Sequence, residues 1–337
     1  MDRAGIGGSS RSIGRILAQR RATPPLDRRT KYFCRPGAAA INGFKKRLLM
    51  IPHDTITSAA NPRVREAARL RDADARRESG QTLIDGRREL ARATRAGVAI
   101  DEVFVDADSA AALLQDDAVA APPNTHDEPC LAGLAAGGTR ITGLSRKAFE
   151  RIAFGSRNEG VVAVARYRAG TLADFVIAND RPVLVIEGVE KPGNLGAILR
   201  TADAAGLAGV IVCDGRTDLA NPAVIRASLG TVFSVPLAAA SARDTICWCG
   251  SHDRRVVAAM PTGKILWHEA RLAGCTAILL GSEAHGISGA WQQAASAGTI
   301  HLETVRLTMA GAADSLNVSA TTAVLAYEAV RQAGNHS

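Results

Sequence analysis

The sequence predicts an α/β fold built on a parallel sheet, and three observations lead there. Between residues 181 and 334, short runs rich in Val, Ile, Leu and Ala recur at 183–186, 210–213, 255–260 and 277–281. Most are continuous in apolar residues instead of alternating, as expected of strands covered on both faces. Segments of helical spacing separate them, which is the alternation of a doubly covered parallel sheet. Finally, turns rich in Gly, Pro and Asn follow two of the runs, at 190–196 and 281–286. Ligands in such sheets bind beyond the carboxyl ends of the strands.

Taken in order, residues 50–170 read as a smaller α/β domain. Asn61-Pro62 precedes a charged helical stretch over 63–79, then an apolar element at Thr82-Leu83-Ile84 and an Asp85-Gly86 turn. A helix through Arg95 and a strand over 100–105 follow. Residues 116–138, rich in Asp, Pro, Asn, Gly and Ala, read as a loop. Arg140-Ile141-Thr142 reads as a short strand, Ser145 as a helix cap and 161–165 as a buried strand. A linker at 171–180 leads to the larger domain, 181–334. There a further strand is expected over 233–236 and a last helix over 319–331. Ten arginines between Arg63 and Arg95 suit a solvated helix face, with a phosphate-tracking surface as the sharper alternative.

Composition bounds the function classes. The 337 residues are 47% hydrophobic and 22% charged, enough for two globular domains. No apolar run is long enough to span a bilayer, so a soluble cytoplasmic protein is expected. Six scattered cysteines lack the paired spacing of a zinc site, and no metal is expected. The net charge of +8 is local: residues 1–49 carry 12 Lys+Arg against 2 Asp+Glu, the remainder 29 against 31. That leader lacks the apolar stretch of a secretory signal. It reads as a disordered tail or an upstream extension with Met50 near the working start, or else a transit peptide.

Three segments carry chemistry. After the strand at 183–186 comes Asn194-Leu195-Gly196-Ala197-Ile198-Leu199-Arg200-Thr201. It is neither GxGxxG nor a P-loop, so a dinucleotide site is not indicated. Its glycines read as a tight turn into a helix with Arg200 on its first turns, where a guanidinium grips a phosphate bidentately. The second is Leu280-Gly281-Ser282-Glu283-Ala284-His285-Gly286-Ile287. The third is Ser315-Leu316-Asn317-Val318-Ser319, at the mouth of the last helix. Singly they also suit a turn, a carboxylate at a helix start and a helix N-cap.

In order and at this spacing, they resemble the three motifs of the SpoU (TrmH-like) branch of the SPOUT RNA methyltransferases. The first domain is similar, more weakly, to the L30e-like substrate-binding domain of those enzymes, through 81–89 and Asn158-Glu159-Gly160-Val161-Val162-Ala163. The resemblance implies a Rossmann-like parallel sheet with a carboxyl-terminal trefoil knot, an exception to unknotted topology. It implies S-adenosylmethionine as cofactor, with Gly281, Leu307, Met309 and Leu316 in its pocket, a homodimer, and structured RNA as substrate, large-subunit ribosomal RNA ahead of transfer RNA. Arg200 becomes the central catalytic residue, with Asn194 orienting it or the nucleotide, Glu283 positioning the first-motif loop or Arg200, and Ser315 and Asn317 bonding within the knot and at the ribose. Two positions depart from the family: Lys191 stands where Asp or Asn is usual, and Leu307-Thr308-Met309 replaces Ile-Pro-Met. The expected reaction is methyl transfer to a ribose 2′-hydroxyl. The alternatives are base methylation within the superfamily and an inactive knotted RNA-binding protein.

Overall fold

The computed structural model describes residues 55–108, 131–154 and 159–334. The basic leader, 1–49, lies outside the described residues, as does most of the expected loop at 116–138.

The first part is a four-stranded sheet of β1 (Gln81–Asp85), β2 (Ala99–Asp106), β3 (Arg140–Leu144) and β4 (Val161–Arg166), in the order β1-β4-β2-β3. β4 runs antiparallel to β1 and β2, and β2 runs parallel to β3. Five helices accompany it among the described residues: α1 (Pro62–Arg69), α2 (Ala73–Ser79), α3 (Arg87–Arg95), α4 (Leu131–Ala136) and α5 (Arg146–Phe149). The single helix expected over 63–79 is two. Asp72 adopts extended backbone and accepts the Asp74 N–H as an N-cap, which restarts the helix after Leu70. The expected loop also gives way to α4 at its end. Ser145 does sit at the α5 N-cap, but its hydroxyl donates to the Thr57 carbonyl instead of capping.

The second part is a seven-stranded sheet: β5 (Val183–Glu187), β6 (Gly209–Cys213), β7 (Leu237–Ala240), β8 (Arg255–Ala259), β9 (Ile265–Leu266), β10 (Thr276–Leu280) and β11 (Leu302–Arg306). The order is β7-β6-β5-β10-β8-β11-β9, and every pairing is parallel. Helices α6 (Pro192–Ala204), α7 (Pro222–Ala227), α8 (Ala242–Ser251), α9 (Gly289–Ser296) and α10 (Val318–Gly334) cover it. β5 shows why its run is continuously apolar. Leu184 and Ile186 join one core with Leu195, Ile198 and Leu325, while Val183 and Val185 join another with Ile211 and Trp291. The pleat sends alternate side chains to opposite faces, and both faces are dry.

The strand expected over 233–236 is displaced. Thr231–Phe233 makes a 3-10 turn, and Pro236 only offers its carbonyl to Val210 before β7 begins. Proline has no N–H for a ladder, so the strand starts beyond it. β11 escaped notice because only Val305 of its five residues is buried, as suits a strand near the sheet edge.

The two sheets are joined through residues 218–232. Arg76, 4% exposed, donates through Nε to Asp218 Oδ2 at 2.8 Å. Thr82 donates to the Ala220 carbonyl, Arg92 to the Leu229 carbonyl and Tyr167 to the Val232 carbonyl. Arg226 on α7 pairs with the buried Asp85 at the end of β1. Several of the clustered arginines thus serve structure rather than a solvated face. No helix among the described residues is long and apolar enough to cross a membrane.

Candidate active site

The site forms where β5, β8, β10 and β11 end. Gly188, at φ +67°, turns the chain out of β5. Lys191 is the N-cap residue of α6, and Pro192 follows at the first helical position, where its missing N–H costs nothing. Helix α6 therefore starts before Gly193, earlier than expected. Gly193 and Gly196 are helical, not the turn. A Cβ on Gly196 would stand 2.4 Å from Ala227 Cβ and 2.7 Å from Ser228 N, so this glycine lets the end of α7 pack against α6. Gly281 has a similar cause. Its Cβ would meet the Gly286 carbonyl carbon at 2.0 Å, because the loop after β10 folds back in a Ser282–Gly286 bridge.

Glu283, on that loop, collects the motifs. Its Oε1 accepts from Asn194 Nδ2 at 3.0 Å and from Asn317 Nδ2 at 2.6 Å. Its Oε2 accepts from Lys191 Nζ at 2.9 Å. Asn317 Nδ2 also reaches Asn194 Oδ1 at 3.2 Å. Asn317 is oriented from its other end: Oδ1 accepts from the Ser319 N–H and hydroxyl, capping α10. Asn317 thus caps α10 with one end of its amide and joins the Glu283 group with the other. Hydrogen bonding from Lys191, aided by Asn194, holds the Glu283 carboxyl below its ordinary value.

Two clefts meet at Glu283. The first, about 240 Å³, is lined by Leu280, Gly281, Leu307, Met309, Ser315 and Leu316, among others. The second, about 260 Å³, is lined by Val189, Glu190, Lys191, Asn194 and Ala284, and shares Gly281, Ser282, Glu283 and Val318 with the first. The structure thus places Gly281, Leu307, Met309, Leu316 and Ser315 around one cleft, and joins Asn194, Glu283 and Asn317 in one hydrogen-bonded group. Ser315 belongs to the cleft and not to the Glu283 bonds.

Arg200 stands apart. It is the ninth residue of α6, on the third turn and not the first turns, and it is exposed. Six residues beyond Asn194 it lies about 9 Å along the axis and well round the helix. Two residues were given no role in the sequence reading. Lys191 is one. The other is Glu187, whose Oε2 accepts from the Ser288 N–H at 2.8 Å and from Trp291 Nε1 at 3.1 Å, tying the second-motif loop to β5. An acid ending an otherwise apolar strand was the available signal.

Residues 181–327 match the model of the SpoU rRNA Methylase family, and residues 61–163 that of an MRM3-like substrate binding domain. The 23S rRNA (guanosine-2'-O-)-methyltransferase RlmB of Yersinia pestis is 30% identical over 213 residues, covering 61% of this chain and 84% of that relative. The chain belongs to the SpoU rRNA methylase family. Among solved structures, an RNA 2'-O ribose methyltransferase aligns with a TM-score of 0.68 at 36% identity, covering 83% of this chain and 99% of its own. An AdoMet-bound rRNA methyltransferase from Sinorhizobium meliloti aligns with a TM-score of 0.69 at 26% identity, covering 83% and 98%. The SPOUT fold class of this SpoU chain follows from these matches and its parallel sheet.

Proposed function

We propose that the protein is an S-adenosylmethionine-dependent methyltransferase acting on a ribose 2′-hydroxyl of ribosomal RNA. The observation that carries this reading is the group of Asn194, Glu283 and Asn317, drawn from three distant motifs onto one carboxylate between two clefts. Its membership of the SpoU family, and relatives named for 23S rRNA 2′-O-methylation, support the substrate class.

The first cleft fits the cofactor. Leu280, Leu307, Met309 and Leu316 offer apolar sides for an adenine ring, and the only charged groups lining it among the described residues are the carboxylates of Glu283 and Asp314. Such a lining suits a ligand bearing a sulfonium and an ammonium. When bound, S-adenosylmethionine supplies an electrophilic methyl on sulfur. The backbone threading of a trefoil knot around this cleft belongs to the same proposal.

The protein's own task is to align the acceptor oxygen and to help its proton leave. Glu283, held ionised by Lys191, is a weak base and serves to fix Asn194 and Asn317 at the acceptor side. Arg200 is no base either, because guanidinium does not lose its proton in proteins. In this reading it grips the phosphate beside the target ribose, and the phosphate takes the proton. Arg200 is exposed on α6, while Tyr327 and Val330 on α10 are 53% and 40% exposed. Both facts support a homodimer formed through α6 and α10, in which Arg200 meets the RNA inside the assembly.

The test is product analysis. Incubation of 23S rRNA with tritiated cofactor should yield a methylated nucleoside with an unmodified base and a phosphodiester resistant to alkali. A base-methylated nucleoside would replace the ribose assignment with the base assignment.

A further inference from the structure

The second cleft carries a cation that the site residues so far assigned do not include. Lys191 is the only basic side chain lining it among the described residues. Its ammonium is bound to Glu283 Oε2 at 2.9 Å, yet its side chain is 71% exposed, against 34% for Glu283. A phosphate can therefore reach it from solvent without displacing any other protein group. The lining's other acid, Glu190, already has a cation, Arg216 Nη1 at 2.6 Å. Glu283 would remain in place if Lys191 turned away, because its Oε1 is held twice, by Asn194 and Asn317. A polyanion entering this cleft meets the Glu283 carboxylate, and Lys191 stands against that charge.

Resting on the methyl-transfer reading, we infer that Lys191 is a positioning residue for the acceptor RNA. Its ammonium holds Glu283 in the free enzyme and takes a phosphate oxygen when the acceptor nucleotide occupies the second cleft. The two clefts then divide the reaction: cofactor on one side of Glu283, nucleotide on the other. The mobile, point-charge head of lysine suits this exchange of partners better than a planar, bidentate fork.

The experiment uses the full chain, a 23S rRNA transcript and the variants Lys191→Met and Lys191→Arg. Lys191→Met should raise the KM for RNA roughly tenfold and flatten the log–log salt dependence of RNA binding by about one. Cofactor affinity by calorimetry should stay unchanged, since Lys191 does not line the first cleft. Lys191→Arg keeps the charge and should recover the salt dependence. If Lys191→Met instead lowers kcat or weakens cofactor binding while KM and salt dependence stand, Lys191 only braces Glu283 and the inference fails. Failure of Lys191→Arg to recover the salt dependence overturns it as well. Absence of methyl transfer by the wild-type chain counts against the methyl-transfer reading itself, which separates the two failures.

Discussion

Asn317 Nδ2 donates to Glu283 Oε1 at 2.6 Å, joining the start of the last helix to the loop after β10. Asn194 reaches the same oxygen from α6. One carboxylate thus fixes three chain segments that no short-range interaction relates.

Removing that carboxylate should therefore cost catalysis more than stability. Glu283→Ala frees Lys191, Asn194 and Asn317 together, and misplacement of the acceptor side by an ångström is worth about 10²-fold in rate. Glu283 is only partly buried, so the melting temperature should move little. Initial rates of methyl transfer, set beside a thermal melt, check both halves. Near-normal turnover would remove Glu283 from the site.

Arg200→Ala should abolish turnover by about 10²–10³-fold if the guanidinium steadies charge in the transition state. The residue is exposed and outside the first cleft, so cofactor binding by calorimetry should persist. A variant that turns over normally would show that this arginine is only a solvated helix residue.

Gly196→Val should destabilise the protein by about 1–3 kcal/mol, because the new side chain is driven into α7 backbone that cannot retreat without moving the core. The close approach of Ala227 and Ser228 is the cause. Urea unfolding measures it, and Gly193→Ala is the control, since a Cβ there meets nothing within 4 Å.

Glu89 gives the fold a pH dependence. Burial, with Glu159 nearby, pushes its carboxyl up to about 7 from an ordinary value of 4.5, although Arg226 and Arg88 draw it back. The folded state thus holds a proton that the unfolded chain releases. The cost of ionising Glu89 is absent below about 4.5, grows as pH rises towards 7 and is complete above it. Glu89→Gln removes that cost and should gain on the wild type across this window, by roughly 3 kcal/mol at most. Melting temperatures of both proteins from pH 5 to 8 decide it. Parallel curves would mean that Glu89 is ionised throughout.

The legible parts of the sequence were those where one physical demand set residue type. Strands β5, β6, β8 and β10 are buried on both faces and read directly as apolar runs. β11 carries Glu, Thr and Arg beside only two apolar residues, and so read as connection. Glu283 and Asn317 were found through the resemblance of their segments to the SpoU motifs, since each alone also suited a local role at a helix start. Lys191 was noticed only as a departure, since its partner lies 92 residues away and no local pattern records the pair. The meaning of Gly196 was missed for the same reason: what it makes room for, α7, is distant in sequence.

The contacts between the two sheets bear on how such a protein can be altered. Arg76 gives its Nε to Asp218 and its Nη1 to the carbonyls of Leu70 and Arg71, so one buried guanidinium is shared between the first sheet's helices and the segment before α7. The first domain is accordingly not an interchangeable cassette. A chimera that imports another first domain must import residues 218–232 with it, or leave Asp218, Arg226 and three backbone carbonyls facing a surface that does not answer them.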